Sequence, residues 1–526
     1  MRRSIAAVPL LTGLLLAGLS APAHAVDVTI GRATEHSSLD PHFSLLGNDY
    51  STADNMFESL INFDEALRIV PRLALTWTAT DTLTWRVELR KGVKFHDGTE
   101  LTARDIAFSL NRARAVPNSP APWTSFVRPV KTFEVVDNYT LVIHTHAPTP
   151  LLLDMIGRIH VVPAHLGEKV TTDDFSAGRA VIGSGPYRYR SHAHGDKVVM
   201  TSNADYWGRK PEFGTVTLKF ISNPAARTAA LLSGSVDVIE QIPPSDISVF
   251  QNRADVTLYS VVSTRMIYLA MDQGRDESPF ITDKDGKPMT VNPLKDRRVR
   301  LAMSKMINRP AIAERVMAGA AEPAGQVVPD GMEGHNPDLK PMGFDPDGAR
   351  KLLREAGYPD GFGVTVHGSN NRFPNDSQLT QALGQMFQRG GLRVNAVEVF
   401  PYNVYAPGAT QRKYSLFHFS YGSVASSSLN GMTGVLATWD AQKGTGSLNR
   451  ARYSNKDFDE ALALAGSEFD GEKRHKLLAD AARIAMEDGG ILPLYWQKLY
   501  WASRKGYLVI PDRGEQTSSN FVRIAK

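Results

Sequence analysis

The segment from Phe362 to Phe400 constrains the fold more than any other part of the chain. "FGVTVHGS" reads as a strand, "SQLTQALGQMFQRGG" as a helix stopped by a glycine pair, and "LRVNAVEVF" as a second strand. A crossover through a helix of this length places the two strands parallel in one sheet and makes the connection right-handed. "KYSLFHFSYG" (Lys413 to Gly422) supplies another strand of the same sheet. In open α/β sheets, ligands collect in the crevice beyond the carboxyl ends of the strands. Those ends are Ser369–Asp376, Phe400–Tyr405 and Ser420–Ser428. The candidate contacts there are Asn371, Arg372, Tyr402, Tyr405, His418, Tyr421 and Ser423.

Ahead of this unit the chain mixes strands and helices. "VDVTIGRA" predicts a strand, and a helix is expected around Asp54 to Leu60. "TWRVEL" and "TLVIHTH" read as strands, "GSGPYRYR…DKVVMTSNADYW" as a strand pair turning near Gly195, and "PAARTAALLSGSVDVIE" as helix, glycine stop and strand. Near residue 266 the character changes: "RMIYLAMDQ" reads as a strand, and an α-rich segment follows. The apolar and aromatic end, "ILPLYWQKLYWASRKGYLVI", is expected to return to the first half.

The N-terminus carries a second message. Arg2 and Arg3 precede an apolar run from Ile5 to Leu19, then Ala23-His24-Ala25, a small-x-small cleavage site. The run is too short to span a bilayer, so residues 1–25 read as a secretory signal cut after Ala25. The cut removes two positive charges and no negative ones from a net +4, which leaves no general case for nucleic acid or an anionic membrane. The chain has no cysteine, which excludes disulfides, thiolate metal sites and a lipid-modified N-terminal Cys. A free periplasmic product is expected.

Catalytic signatures are missing. There is no G-x-S-x-G, S-x-x-K, H-E-x-x-H or Walker A pattern. "GSGPYR" fails the dinucleotide fingerprint because Arg188 stands where the last glycine belongs. His144 and His146 share one face of a strand without a nearby carboxylate or third His, and His192 and His194 flank a glycine turn. Both pairs read as structural. In "GVKFHDGTELTARDIAFSLNR", Asp97-Gly98 favours a tight turn and Thr102 with Asp105 forms a capping box. These residues shape the chain, and His96 beside Asp97 reads as structural rather than as an acid–base pair.

The order of several passages resembles the periplasmic solute-binding proteins of family 5, the peptide/nickel group of ABC importers. They are "SLDPH", "WRVELRKGVKFHDGTELTARDIAFSLNRA", "GSGPYRY", "ADYWGRKP", "ALLSGSVDVIE", "NPLKDRRVRLAMSKMINR" and "ARKLLREAGYPDG". The resemblance implies an α/β, two-lobe periplasmic binding protein (type II, cluster C-like) with an extra subdomain in the first lobe. Lobe I would span residues 26–271 with the subdomain at about 71–181, lobe II 272–490, and residues 491–526 would return to lobe I. The implied function is capture of a peptide or peptide-like solute and its delivery to the membrane permease subunits, by a monomer with no cofactor, no bound metal and no catalysis. Binding of a nickel-type metal chelate, a glutathione-like solute or an opine is the alternative, and an exported hydrolase a remote one.

Peptide-binding relatives often place an Asp three residues after a Trp, to pair with the peptide's α-ammonium. Here the aromatic is Tyr421 and the third residue on is Val424, with no acidic residue between Phe419 and Trp439. His418 is similar in position to the histidine that nickel-binding relatives use to touch a chelated metal. Arg372 would grip a carboxylate bidentately. The expected solute is acidic or neutral and polar.

Overall fold

The computed structural model describes residues 26–525 apart from 65, 66 and 424. The predicted signal segment, and Val424 among the candidate contacts, therefore lie outside the described residues.

The crossover forms as read. Strand Gly363–Ser369 runs parallel to Arg393–Phe400, from Gly363 opposite Arg393 to Ser369 opposite Phe400. Helix Asp376–Gly390 joins them and stops at Gly391, whose φ of 107° is one that glycine adopts without strain. Leu379, Leu383 and Phe387 pack on Val364, Val366 and Leu416, all fully buried. Leu416–Gly422 lies parallel on the other side of the first strand.

These strands belong to a twelve-stranded sheet that runs through both halves of the molecule. Its middle is a pair of long antiparallel strands, Val256–Met271 and Leu492–Arg504. One end of the pair adjoins Leu416–Gly422, and the other adjoins Val238–Glu240. Beyond that come Val26–Arg32 and Phe213–Phe220, both parallel, then the hairpin of Lys197–Ser202 and Tyr187–Ala193. The ladder between the long strands is interrupted between Val262 and Met266. On either side of this break the sheet serves a different core, one around Val28, Ile30 and Leu218, the other around Ile267, Leu269 and Leu416.

Two expectations differ from the structure. The strand expected from residue 266 begins at Val256; Thr257, Ser260, Ser263 and Thr264 break the period-two pattern of its first half, so alternation does not mark it. The first helix is Gly47–Ala53 rather than Asp54 to Leu60. Asp54 is taken up by Arg72 at 2.6 Å, and Asn55 donates back to the Ser51 and Thr52 carbonyls, so tertiary bonds end the helix there.

Residues 74–145 hold a separate four-stranded antiparallel sheet, ordered Ala74–Asp81, Thr84–Leu89, Thr140–Thr145, Val130–Asp137. Helix Ala103–Ala113 covers it, with the Thr102–Asp105 capping box in place. His96 bridges two backbone groups: its Nε2 lies 3.0 Å from the Gly185 carbonyl and its Nδ1 accepts from Gly183 N–H. Asp97 holds the turn through Thr99 and pairs with His165 at 2.9 Å. Both have structural partners.

Candidate ligand-binding site

The parallel strands of both halves end at the same junction. Ala33 and Thr34 follow Val26–Arg32, Gln241 follows Val238–Glu240, and Asn371 to Asn375 follow Gly363–Ser369. All of them line a crevice of about 450 Å³, with Arg265 and Lys498 of the long strands in its wall. One ion pair lies on its wall and another just beneath it. Arg265 grips Glu515 bidentately at 2.7 and 2.6 Å, and Arg32 meets Glu240 at 2.9 Å. The first pair ties the C-terminal segment to the broken region of the ladder.

The C-terminal segment also walls a second space, lined by Tyr50, Phe63, Arg158, Ser423, Asp512 and Gln516 among others. It measures about 20 Å³, close to what one water needs. The Arg158 guanidinium lies 4.4 Å from the Tyr50 ring centre and 5.3 Å from that of Phe63. Asp512 accepts from Gln516 N–H at 2.8 Å. Burial pushes its carboxyl up to about 6 against the pull of Arg158. Above the chamber, Asp154 of helix Leu152–Ile156 accepts from the Ser426 Oγ–H at 2.9 Å and from its N–H at 3.3 Å. Burial pushes Asp154 up to about 6 as well. Trp85 of the four-stranded sheet meets Phe469 at 6.1 Å, so the two halves touch at a second point. A roomier recess of about 780 Å³ lies between Phe108 and Asp173. Its walls come from one half only, and a relative motion of the halves would not change it.

The predicted contacts separate into groups. Asn371 and Arg372 are exposed on the crevice wall, and Arg372 sits 5.0 Å over the Tyr402 ring. Asn371 accepts from Tyr402 N–H, and Asp376 accepts from Arg372 N–H, both at 2.8 Å. Ser423 borders the chamber and turns its hydroxyl to the Ala425 carbonyl. Tyr421 is half-buried, and burial raises its phenol to about 12. Tyr405 and His418 lie inside the core. The Tyr405 hydroxyl donates to the His418 carbonyl, and its ring stacks with Tyr414 and Phe419. The His418 ring meets Thr380 Oγ1 at 2.8 Å, and burial lowers its pKa to about 3, so it is neutral.

Sequence reasoning missed Tyr50, Asp154, Arg158 and Asp512, which sit outside the strand ends it searched. The one available signal was the pair of charges in the apolar run "LLLDMIGRIHVV", since a charge kept in such a run is buried and partnered. Asp154 and Asp512 also bring carboxylates to a place where the Phe419 to Trp439 segment has none.

Two lobes sharing one pair of strands, with convergent polar groups enclosed where they meet, define a two-lobe solute-binding protein. The chain belongs to the bacterial extracellular solute-binding proteins, family 5, whose pattern matches residues 68–443. It is 27% identical over 504 residues to the glutathione-binding protein GsiB of Salmonella choleraesuis (strain SC-B67), covering 93% of each chain. Its fold is similar to the periplasmic binding protein DppA of Helicobacter pylori in complex with peptide STSA, with a TM-score of 0.75, 21% identity and 95% and 98% of the two chains covered. NikZ of Campylobacter jejuni in complex with Ni(L-His) gives a TM-score of 0.74 at 22% identity, with 93% and 96% covered. Among the described residues, no helix is long and apolar enough to cross a membrane.

Proposed function

We propose that this chain is the periplasmic substrate-binding component of an ABC importer and captures a small peptide-like solute in the chamber between its lobes. The observation that carries the reading is the chamber itself. Arg158 holds its guanidinium against the Tyr50 and Phe63 rings at the chamber wall, where its charge would draw a solute carboxylate. Asp512 lines the same space, where an ammonium would find it. A zwitterionic peptide of glutathione size matches both charges, in keeping with the relatives' ligands. With room for one water, the chamber holds such a solute only when the lobes stand further apart than in this structure. We place the hinge at residues 263–265 and 497, where the ladder of the long strands is interrupted. Asn371 and Arg372 then serve as contacts at the crevice wall, with Tyr402 beside Arg372, and Ser423 at the chamber. The protein works as a monomer without altering its solute, after export and cleavage behind Ala25, and hands the solute to permease subunits.

The test is calorimetry with reduced glutathione, its N-acetyl derivative and its C-terminal amides on wild type, Arg158→Ala and Arg372→Ala. A charge-assisted bond contributes about 1.5–3 kcal/mol, so Arg158→Ala should weaken binding at least about tenfold. Blocking either end of the peptide should weaken binding too. Arg372→Ala should cost less, since its guanidinium is exposed. Equal binding by wild type and Arg158→Ala, or no binding by any of these peptides together with tight binding of an uncharged solute, would sink the reading.

A further inference from the structure

The hairpin of Tyr187–Ala193 and Lys197–Ser202 turns at Gly195, where it meets the segment that follows strand Val26–Arg32. His192 and His194, on this turn, read from sequence as structural because nothing nearby completed a ligand set. The fold brings what was missing from 157 residues away. Glu35 Oε1 lies 2.8 Å from His192 Nε2 and 3.3 Å from His194 Nδ1. Each of the three residues offers a ligand atom, and these atoms lie within 4.8 Å of one another. Beside them is His36, 6% exposed, whose ring centre is 4.7 Å from that of His192. Neither ring nitrogen of His36 has a hydrogen-bond partner, a costly state for a buried imidazole unless something else engages it.

We propose that Glu35, His192 and His194 form a binding site for a late first-row divalent cation of the zinc and nickel class, with the unpartnered His36 beside them as the fourth donor once an ion draws its ring in. Three imidazoles and a carboxylate are the donors that such borderline ions take. Two ligand atoms about 2.0–2.1 Å from one tetrahedral ion stand about 3.3–3.4 Å apart. The Glu35–His194 separation already has this value, and the Glu35–His192 contact needs to open by about half an ångström. Gly195 N–H donates to both Glu35 oxygens, at 3.2 and 3.0 Å, and fixes the carboxylate against the turn. His194, with a side chain 90% exposed, leaves an approach from solvent. The bound ion would pin the hairpin turn to the first strand, so binding and stability are coupled. This site takes a bare ion and stands apart from the interlobe chamber, so it does not rest on the proposed solute.

The experiment uses the untagged mature chain and zinc sulfate, in competition with a chromophoric chelator, alongside thermal unfolding with and without zinc. The expected result is one zinc per chain and a zinc-dependent rise in Tm. His194→Ala and His36→Gln should each weaken binding tenfold or more and abolish the rise in Tm, while His146→Ala changes neither. His194 is on the surface, so its loss leaves folding intact even if His36→Gln does not. Cobalt(II) added in place of zinc should give the visible bands of a four-coordinate nitrogen–oxygen site. No zinc bound at stoichiometric concentration, or zinc binding unchanged in His194→Ala, overturns the proposal.

Discussion

Replacing Asp154 by Asn tests how the lobes hold together. Asp154 is 1% exposed and spans the junction to Ser426. Burial is the largest influence on its carboxyl and raises it from 3.8 to about 6, with Ser426 and Arg158 opposing. A carboxyl raised in the closed state is penalised when ionised. The penalty is complete above about pH 6, and it fades as the pH falls toward the value of a solvated Asp. Two units at 1.36 kcal/mol each make the ionised latch cost about 3 kcal/mol at neutral pH. Asparagine carries no charge and keeps a carbonyl oxygen for Ser426. Less the weaker bonds of a neutral acceptor, about 1–2 kcal/mol should remain in favour of closure, roughly a tenfold shift. The chain has no cysteine, so Val136→Cys with Leu464→Cys, both on exposed residues, takes spin labels cleanly. Pulsed electron–electron resonance then reads the closed fraction from pH 8 to pH 5. Wild type should close further as the pH falls. Asp154→Asn should be more closed at pH 8 and respond less to pH, keeping only the part due to Asp512. An opened variant, or one with the wild-type pH response, would refute the reasoning.

Three further outcomes are expected. In Gly183→Ala the new Cβ would stand 1.9 Å from the Met56 carbonyl oxygen, so the fold should lose at least about 1–3 kcal/mol; a wild-type Tm would contradict this. His42 and His96 are lowered to about 4 and His418 to about 3, each chiefly by burial. Their depressed values mean that the unfolded chain binds protons first, so stability is full above about pH 6.5 and falls by up to about 1.4 kcal/mol per group for each pH unit below it. Asp154 and Asp512 oppose this more weakly, so the urea midpoint should drop between pH 7.5 and pH 5.5; a constant midpoint would show that the imidazoles are not buried neutral. Glu515→Gln breaks a bidentate pair with Arg265 and should cost about 1–3 kcal/mol, read as faster proteolysis near residue 515; unchanged cleavage would mean that the pair does not hold this segment.

Much of the fold was legible because local and global preferences agree. The Gly363–Phe400 crossover, the Thr102 capping box and the Gly195 turn all follow from periodicity and turn chemistry. The Asp54 region was illegible because a partner 18 residues away, Arg72, decides where the helix stops. The site was harder. The rule of strand ends finds Asn371 and Arg372 on the crevice, yet period-two alternation alone does not say which sheet face is covered. Helix Asp376–Gly390 covers His418, through Thr380. Tyr405 lies under its own neighbours for the same reason. Arg158 and Asp512 reach the chamber from segments more than 350 residues apart in the chain, a juxtaposition that only the closed fold creates.

The central claim is that the lobes enclose one small solute and release it unchanged. Native mass spectrometry of the protein isolated gently from its own cells tests this most directly. The account predicts one peptide-like molecule per chain, recovered intact on unfolding and lost from Arg158→Ala isolated in the same way. A ligand-free mass in every preparation, or a bound molecule that the protein converts to product, would contradict it.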